Sequence, residues 1–242
     1  MGGPSFKPAL SGLLLVDKPA GMTSHDVVDR VRRRFAMRRV GHGGTLDPAA
    51  TGLLILLLGQ ATRYARYLLN ADKTYFSTLL LGVTTDTQDS EGKVLEDRPV
   101  GPITREQIEA VCVRFRGEIE QEVPAYSAVR VQGKRFYDLA RAGQAVPRRV
   151  RKVRVHNLSL LEIRLPEVDL EVTCSSGTYV RTLCADIGAV LGCGGHLRRL
   201  CRTRVGPFEL EKSVKLDQVG PEHLLPVDKL AWSFSAASPA AR

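Results

Sequence analysis

One stretch constrains this chain more than any other. Residues 41–48 read GHGGTLDP, and the apolar run Leu53 to Leu58 follows shortly afterwards. Glycines at this density form a loop whose backbone can approach a ligand closely. Pro48 lacks an amide hydrogen and biases Asp47 away from helical angles, which places the carboxylate at a defined turn before a buried strand. Asp47 is therefore the candidate catalytic residue.

A structural interpretation of the same stretch stays open at this point. An Asp-Pro pair beside glycines is also typical of an ordinary turn, in which the aspartate caps the backbone or is solvated. The stretch lacks the Gly-Lys-Ser/Thr ending of a P-loop, and Ala49 stands where a phosphatase would carry its second aspartate. These two site classes are excluded, and the residues alone do not decide between a catalytic and a structural Asp47.

The charge balance favours a polyanionic partner. The 242 residues include 35 Lys and Arg against 26 Asp and Glu, which gives a formal net charge of +9 and a pI near 9.6. The basic residues cluster at residues 30–39, 148–154 and 198–204, with arginine more frequent than lysine in each cluster. A solvated basic surface is the alternative to direct phosphate contact.

The cysteines indicate neither a disulfide framework nor a zinc site. The chain has five, an odd number, without a CxxC pair, so reduced and mostly buried thiols are expected. A cluster of Cys193, His196 and Cys201 lacks the paired spacing of a metal site, and no metal is expected. With no signal peptide or apolar stretch long enough to span a bilayer, the expected location is cytoplasmic, without membrane association.

Hydrophobic periodicity separates helices from strands along the chain. A helix is expected from Ser24, the predicted N-cap, because Val27, Val31 and Phe35 recur at four-residue spacing. Further helices are expected at 60–70, at 104–116 and from 178, and strands at 12–16, 53–58, 73–82, 150–165 and 168–174. Without a regular β-α-β rhythm, this order predicts an α+β fold on a mixed, mainly antiparallel sheet with flanking helices.

Residues 41–52, GHGGTLDPAATG, resemble the signature of the TruB family of RNA pseudouridine synthases, in which the aspartate is catalytic. Other blocks similar to this family follow in the expected order at residues 15–19, 72–75, 82–89 and 174–182. The resemblance extends from about residue 12 to about residue 230. It implies a pseudouridine synthase catalytic domain at 11–230, between a flexible tail at 1–10 and a C-terminal tail at 231–242, with no C-terminal PUA domain apparent.

The resemblance also implies roles for individual residues. Asp47 matches the catalytic aspartate, and Arg181 matches the arginine that pairs with it and holds it ionised. Tyr75 matches a tyrosine that lies against the target base, where the ring can stack and the phenol can act as acid or base. A helix-surface arginine and a core tyrosine are the structural alternatives for these two residues.

The remaining implied residues concern access to the base. A uridine inside folded RNA must be extruded before a carboxylate can reach it, and the resemblance assigns to His42 the stacking group that fills the vacated space. Lys18 and Leu200 match positions that line the pocket. The segment at about 124–147, rich in glycine, proline and basic residues, matches an insertion that clasps RNA in the bacterial family.

The function implied is isomerisation of uridine to pseudouridine in tRNA at position 55 of the T-loop, without a cofactor. The expected partner is the T-arm stem-loop of tRNA, and a monomer that needs no guide RNA or protein partner is expected. The alternative is an RNA-binding or tRNA-folding module whose catalysis is secondary or lost.

Overall fold

The structure is a computed structural model that describes residues 10–226. The predicted tails, 1–10 and 231–242, lie outside these residues except for Leu10. The chain divides into two compact units, which are considered separately: a first unit of residues 1–71 with 202–242, and a second unit of residues 72–201. Within the described residues, no helix has the length and apolar content needed to cross a membrane.

Five α-helices and fourteen strands make up the described residues. The helices are α1 (Ser24–Arg34), α2 (Ala65–Asn70), α3 (Arg105–Arg114), α4 (Phe136–Arg141) and α5 (Val180–Val190). The strands are β1 (Gly12–Lys18), β2 (Val40–His42), β3 (Thr51–Leu58), β4 (Lys73–Leu81), β5 (Val83–Thr85), β6 (Val94–Asp97), β7 (Gly117–Glu122), β8 (Arg130–Val131), β9 (Lys134–Arg135), β10 (Val150–Arg164), β11 (Glu167–Cys174), β12 (Gly195–Val205), β13 (Phe208–Glu209) and β14 (Val214–Lys215). Short 3₁₀ turns lie at Gly59–Tyr64, Leu210–Lys212 and Pro221–His223.

In the first unit, β1 is the central strand. It pairs in parallel with β14 and antiparallel with β3, and β2 also pairs antiparallel with β3. The predicted run Leu53 to Leu58 is confirmed as a strand, and its side chains are at most 1% exposed. Both faces of β3 are thus covered, which explains why its sequence is continuously apolar rather than alternating.

Helix α1 starts differently from the sequence prediction. Its N-cap is Thr23, not Ser24, because the Thr23 side chain accepts from the Asp26 amide while Asp26 bonds back to Thr23 in a capping box. Ser24 is the first helical residue, and its buried hydroxyl bonds elsewhere. Val27, Val28 and Val31 form the buried face, so the predicted amphipathic helix is confirmed.

The sheet of the second unit contains antiparallel strands in the order β4–β11–β10–β7, so the first of these strands in sequence, β4, pairs with the last, β11. Helices α3 and α5 contribute Ile108, Val111 and Leu183 to its core. The predicted capping box of Thr104 and Gln107 on α3 is confirmed, whereas α5 begins at Val180, later than predicted, because the Thr178 hydroxyl bonds to the Ser175 carbonyl. The α+β class and the mixed, mainly antiparallel strand pairing are confirmed.

The segment at 124–147 carries its own small structure. Strands β8 and β9 form a hairpin, and α4 follows it. Phe136 is 1% exposed and anchors the segment, while the rings of Tyr126 and Tyr137 meet edge to face with centroids 6.2 Å apart. Most of its other side chains are exposed. Its predicted role as an RNA clasp stays a prediction.

Candidate active-site loops

Residues 43–50, here called the glycine loop, connect β2 to β3. Gly43 donates its amide hydrogen to the Ile55 carbonyl at 2.8 Å, and a Cβ at Gly43 would lie 2.6 Å from Leu68 Cδ1. Gly44 has a φ of 145°, which L side chains rarely adopt. Asp47 accepts the Ala50 amide hydrogen at its carbonyl, at 3.1 Å, and its side chain is half-buried. The glycines here permit close packing and an unusual turn.

Two buried cations bind the backbone of the glycine loop. Lys18 is 0% exposed, and its Nζ donates to the Pro48 carbonyl at 3.1 Å and to the Pro19 carbonyl at 2.8 Å. Arg202 is 2% exposed and donates to the carbonyls of Gly44 and Thr45 at 3.1 and 3.2 Å. Carbonyl groups on both sides of Asp47, at Gly44, Thr45 and Pro48, are therefore held by charge-assisted hydrogen bonds, which are stronger than neutral ones.

A third clamp comes from α1. The Ser24 hydroxyl donates to the Leu46 carbonyl at 3.1 Å and accepts from the Leu46 amide at 2.8 Å, so both polar groups of the residue before Asp47 are satisfied. The Gly21 amide donates to the Pro48 carbonyl at 2.9 Å on the other side. The residues directly before and after Asp47 are consequently both held by hydrogen bonds.

His42 is half-buried at the end of β2, directly before the glycine loop. Its Nδ1 lies 3.4 Å from the Gly44 amide, which makes Nδ1 the acceptor and leaves the proton on Nε2. Burial lowers the pKa of His42 below its ordinary value of 6.5, and the positive charges of Arg202 and His25 lower it further. The imidazole is therefore neutral at pH 7, the state in which a ring stacks on a base at least cost in desolvation.

In the second unit, Arg181 lies near the start of α5 and is 7% exposed. Its guanidinium donates to the carbonyls of Thr87 and Tyr126 at 2.9 and 3.0 Å, and Nη1 lies 3.4 Å from Asp89 Oδ2. This arginine is thus a buried, oriented cation rather than a surface residue, which removes the structural alternative considered for it. Its predicted pairing with Asp47 stays a prediction.

Residues 86–92, here called the acidic loop, carry Asp89. The carboxylate of Asp89 accepts from the Thr87 hydroxyl and from the Glu91 amide, and that of Asp86 accepts from the Lys93 amide at 2.7 Å. Gln88 has a φ of 64°, and its side chain accepts from the Thr182 hydroxyl at 2.9 Å. Two of these four bonds join residues of the loop to one another, and both orient the Asp89 carboxylate, which lies beside Arg181.

A buried histidine supports the acidic loop. His196 is 4% exposed, and its Nδ1 lies 2.8 Å from the Val83 carbonyl, so Nδ1 carries the proton. Its Nε2 then accepts from the Ser90 hydroxyl at 3.2 Å. Both ring nitrogens of His196 are therefore hydrogen-bonded in the interior of the second unit.

Tyr75 and Leu200 are half-buried and pack against the core of the second unit. Tyr75 lies on β4 opposite Val172, and Leu200 lies on β12. Both positions suit a wall that a base could contact, and both also suit the edge of a core. Their assigned roles stay predictions.

Within the first unit, Lys18 and His42 lie next to the loop that carries Asp47. Within the second unit, Arg181 forms an ion pair with Asp89. Sequence reasoning missed three positions that hold these groups: Ser24, Asp89 and Arg202. Asp89 stood inside the block at 82–89 that resembles the family, and that block was its only signal.

The basic clusters differ in how their charge is used. Arg198 and Arg199 both pair with Glu167, and Arg154 pairs with Glu118. On α1 and just after it, exposed guanidinium groups have no carboxylate partner among residues 10–226: Arg30, Arg33 and Arg38. The cluster at 30–39 therefore has the most positive charge available for a phosphate backbone.

The five cysteines are thiols, with no disulfide among them. Four of the five are buried, and burial raises the pKa of Cys112 and of Cys174 to about 11. Among the residues that the structure describes, no group of three or more His, Cys, Asp or Glu side chains is arranged to hold a metal ion.

Comparisons with known proteins place this geometry in context. A family model described as "TruB family pseudouridylate synthase (N terminal domain)" matches residues 32–180, and one described as "tRNA pseudouridylate synthase B C-terminal domain" matches residues 181–230. A protein of Syntrophotalea carbinolica named "tRNA pseudouridine synthase B" is 47% identical over 94% of this chain and 74% of its own length.

Two solved structures are also similar. "Crystal Structure of a Cbf5-Nop10-Gar1 Complex" matches with a TM-score of 0.73 and 29% identity, over 96% of this chain and 68% of that one. "Structure of H/ACA RNP bound to a substrate RNA containing 2'-deoxyuridine" matches with a TM-score of 0.65 and 32% identity, over 85% of this chain. The match spans 51% of the longer chain in that second structure.

Proposed function

The chain belongs to the TruB family of pseudouridylate synthases, and from that premise we propose that it isomerises uridine to pseudouridine in tRNA, at position 55 of the T-loop, with Asp47 as the catalytic residue. The observation that carries the proposal is the way in which the backbone around Asp47 is held. Its neighbours are fixed by Ser24 on one side and Lys18 on the other, while its own carboxylate is half-buried. A turn with only a structural role does not need so many hydrogen bonds to its backbone.

The reaction asks for one ionised group in a fixed place. The N-glycosidic bond breaks, the base rotates and a carbon–carbon bond to the ribose forms, with no net redox change and no external group transferred. A carboxylate can attack the ribose or base covalently, or it can remove a ribose proton. Each route requires the carboxylate within reach of the sugar, and the fixed turn at Asp47 meets that requirement.

Arg181 and Tyr75 complete the proposed catalytic set. A buried guanidinium presents several donors in one plane, so Arg181 can hold a carboxylate ionised while Asp89 and two carbonyls hold the guanidinium. Tyr75 offers a ring face for the base and a phenol that can donate or accept a proton. Leu200 is proposed as an apolar wall, which excludes water from the reacting base.

Base extrusion is assigned to His42. A neutral, half-buried imidazole can move into the gap left by the flipped uridine without carrying a charge into the stack. Lys18 acts through the Pro48 carbonyl, so its proposed place is behind the site rather than on the substrate.

RNA binding is assigned to the exposed guanidinium groups of α1 and to the segment at 124–147. The T-arm stem-loop of tRNA is the proposed partner, and a monomer acting in the cytoplasm without guide RNA or protein partner is the proposed form. The name of the relative at 47% identity supports tRNA as the substrate, whereas the titles of the solved structures describe complexes with further proteins or RNA at lower identity.

The test is an assay of pseudouridine formation in a T-arm transcript with purified protein alone. Wild-type protein is expected to convert the uridine at position 55, and Asp47→Asn is expected to form none while binding the transcript with unchanged affinity. The matched control is Asp217→Asn, which changes an exposed aspartate and should retain full activity. Binding without conversion by wild-type protein would instead support an RNA-binding or tRNA-folding module.

A further inference from the structure

Arg202 is buried, which is unusual for a charged residue. It is 2% exposed, although it lies in a stretch that alternates arginine with other residues and whose neighbour Arg204 is exposed. Its Nε donates to the Leu53 carbonyl at 2.8 Å, and its two Nη groups donate to the Thr45 and Gly44 carbonyls. All three directions of the guanidinium plane are thus occupied by main-chain oxygens.

No carboxylate lies within salt-bridge distance of Arg202 among residues 10–226. Desolvating a guanidinium is costly, and carbonyl dipoles offset that cost less completely than a carboxylate would. A purely structural side chain at this place would be better apolar or paired. What the guanidinium provides, and an apolar group would not, is a set of directional bonds to the glycine loop.

We propose that Arg202 is a positioning residue for the isomerisation: by joining Leu53 on β3 to the Gly44 and Thr45 carbonyls, it fixes the glycine loop so that Asp47 is held in its reactive place. The inference rests on the proposed function of Asp47. Gly44 has a φ of 145° and no side chain, so its own conformational preference does not define the loop. The definition has to come from outside, and at Gly44 and Thr45 it comes from Arg202.

The shape of the guanidinium matters for this role. Its donors point in fixed directions within one plane, whereas a lysine ammonium is a compact charge with freely rotating donors. A lysine at this position could keep the charge and reach one or two of the carbonyls, but it could not hold β3 and both loop carbonyls together. Comparing arginine with lysine at this position therefore separates the effect of donor geometry from the effect of charge.

The charge of Arg202 has a consequence of its own. It is the largest contribution after burial to the lowered pKa of His42, and so it helps keep that imidazole neutral. A variant without the charge should show a higher His42 pKa, while a lysine variant should not. This readout reports the electrostatic environment of the loop and does not depend on activity.

The experiment compares Arg202→Lys, Arg202→Met and wild-type protein in single-turnover conversion of saturating T-arm transcript, in transcript affinity and in NMR titration of His42. Arg202→Met is expected to slow conversion about 100-fold with affinity changed less than about 3-fold, because a displaced loop misplaces the carboxylate after binding. Arg202→Lys is expected to slow conversion about 10-fold with the His42 pKa unchanged.

The matched control is Val205→Ala, which removes buried apolar contact on the same strand, at 1% exposure, without touching the glycine loop. It should lose stability but convert the transcript at the wild-type rate at a temperature where it is folded. If Arg202→Met does not fold, the folded Arg202→Lys variant decides the question alone. Rates like those of Val205→Ala in the folded Arg202 variants would overturn the proposal. An inactive wild-type protein would instead overturn the proposed function.

Discussion

The glycine loop and the acidic loop each hold one aspartate in place, and they do so by different means. The backbone of the glycine loop is bound from outside by the side chains of Ser24, Lys18 and Arg202. In the acidic loop, Thr87 donates to Asp89, and the carboxylates of Asp89 and Asp86 accept amide hydrogens from Glu91 and Lys93. The acidic loop is also bound from outside by Arg181, Thr182 and His196, so it combines bonds between neighbouring residues with distant ones, whereas the glycine loop depends on its surroundings.

The difference follows from what each loop carries. A glycine-rich backbone can approach a substrate closely, but it has high conformational entropy and must be ordered by other residues. Asp and Thr side chains instead form local turns that order a loop without distant partners. We therefore expect single changes around the glycine loop to have large effects, and single changes inside the acidic loop to have smaller ones.

The largest effect is expected from Lys18→Met. The change removes the buried ammonium donor from the Pro19 carbonyl and one of the two donors of the Pro48 carbonyl, which should cost about 2–4 kcal/mol in the free energy of unfolding. Urea unfolding checks this, and conversion of a T-arm transcript should fall by about 100-fold as well. The control is Lys212→Met, an exposed residue paired with Glu209, which should change stability by less than about 0.5 kcal/mol.

A direct test of the close packing around the glycine loop is to add one methyl group to it. Gly43→Ala would place Cβ against Leu68, which is 0% exposed and cannot move freely, so a loss of about 1–3 kcal/mol is expected. The matched control is Gly101→Ala, because a Cβ at this exposed glycine would meet no atom within 4 Å. Urea unfolding of both variants should show the larger loss for Gly43→Ala. An equal or larger loss for Gly101→Ala would contradict the role of close packing in ordering the glycine loop.

Local signals explain what the sequence predicted well. The apolar run of β3 and the Thr104–Gln107 capping box are encoded within a few residues, and both appear where expected. Tertiary contacts explain what it did not. Ser24 looks like an N-cap by residue type, but Thr23 forms the cap, and the Ser24 hydroxyl is used by Leu46, 22 residues away.

The same limit applies to the candidate site. Asp47 could be singled out because glycines and a proline surround it in the sequence. Arg202 could not, because an arginine in a basic stretch is expected at the surface, and only the packing of β12 buries it. Arg181 bonds to carbonyls 94 and 55 residues away, and no local pattern encodes such partners.

A smaller effect should distinguish a loop clamp from a helix cap on neighbouring residues. Ser24→Ala removes both bonds to Leu46 in a buried place and should cost about 2 kcal/mol. Thr23→Ala removes an exposed cap and should cost about 1 kcal/mol. Only Ser24→Ala is expected to slow conversion of the transcript, since only this residue holds the glycine loop. Equal slowing by both variants would show that α1, rather than the hydroxyl of Ser24, orders the loop.

The smallest expected effect concerns Asp186, a partly buried carboxyl group that no neighbouring side chain holds within residues 10–226. Asp186 on α5 has no hydrogen bond or ion pair within residues 10–226, unlike Arg202 with its three carbonyls. Burial, and then the charge of Glu122, raises the pKa of Asp186 from 3.8 to about 6. The folded state therefore keeps a proton that the unfolded chain has already released, so stability is lost as pH rises from about 4 to about 6.

Asp186→Asn removes this titration and should stabilise the protein at pH 7.5. Because Asp186 is partly exposed, the expected gain is about 1 kcal/mol. This is well below the value that a pKa shift of this size would give at a fully buried site. Urea unfolding at pH 5.0 and 7.5 checks the sign, because the gain should be about half as large at pH 5.0, where the unfolded carboxyl group is ionised but only part of the stability has been lost. Asp217→Asn is the exposed control and should show no such dependence. A gain that is the same at both pH values would mean that packing of the amide, rather than removal of an unpaired carboxylate, stabilises α5.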